Sequence, residues 1–313
     1  MTQGSLVTIM SLLISFAISG VPLHSQQRPI VTFSAGVDLV RVSAVVRDRK
    51  GRVVTDLTAK DFEVLDGGES RAISDFRTDS SGVSVAFLFD VSGSMEGHAV
   101  SARDAAQHLL GWLDAATDES AVFTFDTQFE ELMPFSVGVR ELPERLATMR
   151  PFGATSLHDA IAHTAQQLDG REGRRRAVVV FTDGNDNSSR LTPSEVSGIA
   201  SAIDVPVYVV GVVSTIDNPN ADMATTKGRS AFEGPLFNLA MWTGGNVFVA
   251  SSPGERSQVA RRIVEELRHQ YLIAFESSGT PGWHPLVVRV RDEDHVIRAR
   301  GGYIAGQSSP VLQ

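Results

Sequence analysis

The sequence predicts an α/β protein: a doubly wound, mainly parallel sheet inserted into a small all-β sandwich that the N- and C-terminal segments form together. Three observations carry this. Between Ser84 and Leu267, apolar strand-like runs alternate with amphipathic helical stretches, the pattern of a parallel sheet covered on both faces. On either side the periodicity changes to two. Val40, Val42, Ala44 and Val46 alternate with Arg41, Ser43 and Arg47, and Leu286, Val288 and Val290 alternate with Arg289 and Arg291. Neither flank can enclose a core alone, whereas together they supply about 80 residues, near the lower end for an immunoglobulin-like sandwich.

The elements follow in order. Asp48–Gly51 is a turn, and Arg52–Val54 begins a return strand; Asp61–Leu65 and Arg71–Phe76 read as a hairpin around Asp66-Gly67-Gly68. Val83–Phe89 is a strand buried on both faces. It leads to a helix near His98–Ala115, with Ala102, Ala105, Ala106, Leu109, Leu110 and Leu113 on its apolar side. Ser120–Phe125 is a strand, Glu141–Met149 a short helix entered through Pro143, Thr155–Leu168 a helix and Arg176–Thr182 a strand. Thr192-Pro193-Ser194-Glu195 opens the next helix, with Thr192 as cap, Pro193 in the first turn and Glu195 closing a capping box. Strand Pro206–Val212, helix Gly234–Trp242, strand Asn246–Val249 and helix Pro253–Leu267 complete the alternation. Strand Gln270–Glu276, a Gly/Pro/Ser loop at Ser277–Trp283, a turn at Asp292–Asp294 and strand Val296–Arg300 return the chain to β structure.

Composition narrows the function. The 313 residues carry a net charge of −9, which gives bulk electrostatics no reason to favour nucleic acid or an anionic membrane. There is no cysteine, so disulfides, thiolate metal sites, a cysteine nucleophile and lipid attachment through a cysteine are excluded. Residues 1–25 read as an export signal. The apolar run Leu6–Ile18 is shorter than the roughly 20 residues that span a bilayer, and Ser25 offers a small residue for cleavage before Gln26. No Lys or Arg precedes that run, so an uncleaved anchor is the alternative; no second run of spanning length follows it. The expected layout is a linker over 26–36, the first β segment over 37–80, the α/β domain over 81–268, the second β segment over 269–305 and a tail over 306–313.

Three stretches of the α/β region carry chemistry. In Ser84–Met95 a buried strand stops at Asp90, and Ser92 and Ser94 follow at every second position with Gly93 between them. A tight loop that presents three oxygens at a strand's carboxyl end suits a hard cation, and Mg²⁺ takes few carboxylates and several waters. In Gly153–Ile161, Thr155 stands at the mouth of a helix, where its hydroxyl can cap the helix or bind a metal. A second buried strand ends at Asp183, followed by Gly184. In doubly wound sheets, ligands bind outside the carboxyl ends of the strands, where Asp90 and Asp183 both fall.

This set resembles the metal-ion-dependent adhesion site of von Willebrand factor type A domains: Asp-x-Ser-x-Ser, a distant Thr and a distant Asp, filled by Asp90, Ser92, Ser94, Thr155 and Asp183. The segment Val45–Gly68 before the loop further resembles a group of exported bacterial proteins with a related domain, and the insertion in a sandwich resembles the hybrid-domain arrangement of integrin β chains. The resemblance implies a non-enzymatic module that binds Mg²⁺, with Mn²⁺ or Ca²⁺ as alternatives. It also implies a protein partner whose Asp or Glu completes the coordination, and a periplasmic or extracellular location.

Other readings are weaker. A strand-end aspartate beside Mg²⁺ also suits phosphoryl transfer, but that chemistry wants a second carboxylate where Ser92 stands and a lysine that the site stretches lack. No G-x-S-x-G elbow is present to support a serine hydrolase. A structural envelope protein with a vestigial cup is the remaining alternative. The polar stretch Ser214–Ser230 is expected at the rim, as a binding loop or a surface excursion. Asp186 and Glu96 are either extra cation ligands or solvated acids. His98, His108, His158 and His163 read as structural or surface residues, and Arg171–Arg176 as a solvated turn.

Overall fold

The computed structural model describes residues 39–78, 82–171, 173–202, 204–212 and 234–305. The expected signal, linker and tail, and the Ser214–Ser230 stretch, lie outside the described residues. The chain opens with β1 (Leu39–Asp48), β2 (Phe62–Asp66), β3 (Glu69–Arg71) and β4 (Ile73–Arg77). The α/β region then runs β5 (Val83–Asp90), α1 (Ala99–Trp112), β6 (Glu119–Phe125), β7 (Phe129–Val137), α2 (Glu144–Thr148), α3 (Leu157–Gln167), β8 (Arg175–Thr182), α4 (Pro193–Ala202), β9 (Val207–Val212), α5 (Pro235–Trp242), β10 (Asn246–Ala250) and α6 (Pro253–Arg268). Strands β11 (Tyr271–Glu276), β12 (Gly282–Val290), β13 (His295–Ala299) and β14 (Gly302–Ala305) close the chain.

The central sheet has the order β10-β9-β8-β5-β6-β7, parallel throughout except for β7. Both faces are covered, which is why β5, β6 and β9 are buried at every residue rather than at alternate ones. Val85, Phe87 and Phe89 pack with Val179 and Phe181 under α1 and α6, and the intervening Ala86, Leu88, Val178 and Val180 pack under α3, α4 and α5. The order reverses at β5, so β6 and β8 flank it on opposite sides and leave a crevice at its carboxyl end.

The flanks form two four-stranded sheets, β13-β1-β11-β4 and β14-β12-β2-β3, each mixing strands from both ends of the chain. Between them lies one core, with Val42, Val46, Phe62 and Val64 from the N-terminal segment against Ile273, Phe275, Leu286 and Val288 from the C-terminal one. The α/β region is thus inserted in a sandwich, as the periodicity predicts.

Three local expectations differ from the structure. The Arg71–Phe76 strand is broken at Ala72: β3 pairs with β2, but β4 crosses to the other sheet and pairs with β11. Arg71, held 3.3 Å from the buried Asp66 carboxylate, anchors the crossing point. Arg52–Val54 makes only a bridge, Arg47 to Val53, because the Tyr271 hydroxyl donates to the Val54 carbonyl at 2.9 Å and accepts from the Leu57 amide at 3.1 Å. Strand β7 has no counterpart in the sequence reading. It is an antiparallel edge strand that holds Pro134, tolerated at an edge where a missing N–H breaks no central ladder, and its pairing with β6 is irregular.

The sandwich joins the α/β region through buried charge. Glu266 of α6 is fully buried, accepts from Arg47 Nε of β1 at 3.1 Å and also pairs with Arg298 of β13. Arg300 bonds the carbonyls of Ser201 and Arg41, and the Ser43 hydroxyl donates to Asp204 at 2.9 Å. Trp242 of α5 and Trp283 of β12 stack with ring centroids 6.1 Å apart.

Candidate metal site

Asp90 ends β5 and is buried. Its Oδ1 accepts the Ser92 amide at 2.9 Å, which folds the chain back in a tight turn, and its Oδ2 accepts the Thr182 hydroxyl at 2.7 Å. The turn is held from below by Met95, whose fully buried side chain lies in the core under α1. It is held from the side by Val91, whose amide donates to the Phe125 carbonyl at 2.9 Å. Ser92 and Ser94 carry their hydroxyls 3.2 Å apart, Ser92 buried and Ser94 exposed. The step of two that the sequence shows therefore brings two serine oxygens together.

Thr155 reaches this turn through backbone bonds. The Gly93 amide donates to the Gly153 carbonyl at 3.0 Å, and the Phe152 amide to the Val91 carbonyl at 2.9 Å. Gly153 sits at φ +89°, a conformation that favours glycine, and so lets the connection beside the cup turn into α3. Thr155 is buried, but it does not cap α3. The first amides of that helix go elsewhere: His158 donates to Asp186 at 2.9 Å and Asp159 to the Ser189 hydroxyl at 3.1 Å. Of the two roles open to the Thr155 hydroxyl, capping is taken by the other loop.

Asp183 follows β8 and is half-buried; its Oδ1 accepts the Asn185 amide at 3.2 Å. Burial pushes the Asp90 carboxyl above its ordinary value. The Ser92 and Thr182 hydrogen bonds oppose that rise, and the negative charge of Asp183 adds to it. Two carboxylates close enough to repel, one of them out of water, form a place that a cation relieves. The donors are all hard oxygens, two carboxylates and three hydroxyls, the chemistry of Mg²⁺, Mn²⁺ or Ca²⁺ rather than of a soft metal. Among the described residues no group of three or more His, Asp or Glu side chains could hold a metal. A site of this composition would depend on its hydroxyls and on water.

The structure thus brings Asp90, Ser92 and Ser94 into one turn at the crevice, with the segment before Thr155 bonded to it through Phe152 and Gly153 and the loop that begins at Asp183 tied to it through Thr182. Sequence reasoning missed Thr182, whose hydroxyl also accepts the Gly184 amide at 3.0 Å and so links the two aspartate loops. The signal was in the parallel register: Phe89 pairs with Phe181, so the next step sets Asp90 beside Thr182.

Asp186 is neither a solvated acid nor free for a second cation. It takes the His158 amide, the Ser189 amide at 3.1 Å, the Ser189 hydroxyl at 2.6 Å and His158 Nδ1 at 2.8 Å. Burial pushes its carboxyl up, but these hydrogen bonds and the His158 charge outweigh it and hold it below the ordinary value. Glu96 is exposed. Within the basic run, Arg171 pairs with Glu119, and Arg174 and Arg176 bond the Thr117 and Leu168 carbonyls, so these arginines brace the start of β8.

A six-stranded, doubly wound sheet with an Asp-x-Ser-x-Ser turn at its switch point defines the class of α/β domain. The family model of the von Willebrand factor type A domain matches residues 84–244, just over half of the chain, and the chain belongs to that family. No curated protein sequence matches it. Among solved structures it is similar to an aerotolerance-related membrane protein from Bacteroides fragilis, at 20% identity and a TM-score of 0.49 over 59% of this chain and 98% of that one. It is also similar to a von Willebrand factor type A protein from Catenulispora acidiphila, at 14% identity and a TM-score of 0.47 over 78% and 73%. A further likeness is to proximal thread matrix protein 1 of the mussel byssus with a zinc-occupied MIDAS motif, at 17% identity and a TM-score of 0.43 over 64% and 49%. Among the described residues no helix is long and apolar enough to cross a membrane.

Proposed function

We propose that this chain is a protein-binding module, not an enzyme, and that it recognises its partner through a divalent cation held by Asp90, Ser92, Ser94, Thr155 and Asp183. Bound there, Mg²⁺ (or Mn²⁺ or Ca²⁺) supplies a Lewis-acid position for one carboxylate oxygen of a partner's Asp or Glu. The observation that carries this reading is the buried Asp90 carboxylate gathered in one turn with the Ser92 and Ser94 hydroxyls, which lie 3.2 Å apart. With only two carboxylates in the set, the bound ion's charge is about neutralised, and a further anionic oxygen is still attracted. Ser92 and Ser94 would hold the ion through their hydroxyl oxygens. Asp90 has already committed one lone pair of each oxygen, to Ser92 and to Thr182, and keeps the others for the ion or its waters.

Residues 1–25 act as an export signal, so binding takes place outside the cytoplasm, and the sandwich presents the α/β domain to the partner.

Water-proton relaxation of the Mn²⁺-loaded full chain tests the partner chemistry. N-acetyl-aspartate amide is expected to lower the relaxation enhancement by displacing metal-bound water, and N-acetyl-asparagine amide to leave it unchanged. Equal behaviour of the two probes would exclude carboxylate entry.

A further inference from the structure

We propose that Asn187 is a positioning residue for the cation: it locks the Thr155 peptide to the Asp183 loop and so sets the geometry, and with it the size preference, of the site. The inference rests on the metal-site reading above. Asn187 Oδ1 accepts the Thr155 amide at 2.9 Å, and the amides of Asn187 and Ser188 both donate to the Thr155 carbonyl at 3.0 Å. Both polar groups of the Thr155 main chain are therefore held by two consecutive residues of one loop, the loop that begins at Asp183.

The neighbouring bonds run the same way. Asp186 takes the His158 amide and Ser189 the Asp159 amide, while the Asp159 carboxylate takes the Arg190 amide at 3.0 Å and the Leu191 amide at 2.8 Å. The start of α3 and the 183–191 loop are cross-linked as one body. Ser156, at the N-cap position, makes no side-chain capping bond. This leaves the Thr155 hydroxyl outside the capping arrangement while its backbone is fixed.

Asn187 does not itself need to touch the ion. Replacing it with alanine removes the acceptor for an amide on a residue only 2% exposed, and the Thr155 segment gains freedom relative to Asp183. Mg²⁺ demands near-ideal octahedral geometry, whereas Ca²⁺ accepts six to eight ligands in flexible array. Lost positioning therefore weakens Mg²⁺ more than Ca²⁺. Partners that orient metal ligands typically change affinity by about 10- to 100-fold when removed.

The test is calorimetric titration of MgCl₂ and CaCl₂ into the chelator-treated full chain, as wild type, Asn187→Ala and Asn187→Asp, with hydrogen exchange read at the Thr155 amide. Asn187→Ala is expected to lose about tenfold in Mg²⁺ affinity and less in Ca²⁺ affinity, and to lose protection at Thr155. Asn187→Asp keeps an acceptor oxygen and is expected to restore both the protection and the Mg²⁺ preference. If Asn187→Ala does not fold by circular dichroism, Asn187→Ser carries the same comparison. Unchanged affinities, or equal losses for the two ions, would overturn the positioning role and leave the metal site standing. A wild type that binds neither ion would overturn the metal site itself, and this role with it.

Discussion

The Thr182 hydroxyl donates to Asp90 Oδ2 at 2.7 Å across the central pair of parallel strands, and accepts the Gly184 amide at 3.0 Å. One side chain thereby ties together the loops that follow β5 and β8. Thr182→Val keeps the shape but leaves a buried carboxylate oxygen and the Gly184 amide without this partner. Loss of a buried hydrogen-bond partner costs about 1–3 kcal/mol. Urea unfolding is expected to show a loss of that order for Thr182→Val and little change for Thr182→Ser.

Asp90 also makes the fold sensitive to pH. Burial raises its carboxyl above the unfolded value of 3.8, and the Asp183 charge adds to the rise. Between those two values the native state holds more protons than the unfolded state, so this group's contribution to stability falls as pH rises through that window and is constant above it. Asp90→Asn removes the buried charge. Without divalent cations, Asp90→Asn is expected to melt above wild type at neutral pH, and the difference is expected to shrink as pH falls into the window. Thermal melts in chelator across pH check both.

Glu266 holds the joint between the inserted domain and the sandwich. Its side chain is fully buried between Arg47 and Arg298, which are themselves nearly buried. Glu266→Ala leaves two guanidinium groups without their counter-charge, and breaking a buried pair in this way costs about 3–5 kcal/mol. Denaturation is expected to show that loss. Replacing all three by apolar residues of similar volume is expected to recover much of it.

The sandwich cannot form from either end alone. The inner residues of β1 and β2, such as Val42 and Phe62, pack on Ile273, Phe275 and Leu286 from beyond the insertion. A peptide over 37–76 is expected to show no cooperative transition by circular dichroism, whereas residues 81–268, with cores on both faces of the central sheet, are expected to fold. Cooperative folding of the short peptide would contradict the split sandwich.

What the sequence disclosed follows from how much of the signal is local. Asp90, Ser92 and Ser94 share one turn, so their spacing already showed that their side chains lie together. The apolar runs of β5 and β8 showed strands buried on both faces. Strand β7 escaped because Pro134 and an irregular pairing remove the alternation that marks an edge strand. The crossing between β3 and β4 escaped because continuous β pattern through Arg71 and Ile73 does not say which sheet each residue joins. Thr182 and Asn187 escaped for a third reason: their importance lies in what they reach, Asp90 at a separation of 92 residues and Thr155 at 32. Register and loop geometry, not residue type, make those contacts.

The most direct test of the central claim is calorimetric titration of Mg²⁺ into the chelator-treated full chain beside Asp183→Ala. Asp183 ends in a half-exposed loop, so its loss is expected to leave the fold intact. The wild type is expected to show saturable 1:1 binding, and the variant a loss of at least about tenfold, some 1.4 kcal/mol. Wild-type and variant titrations that superimpose, with both proteins folded, would contradict that claim.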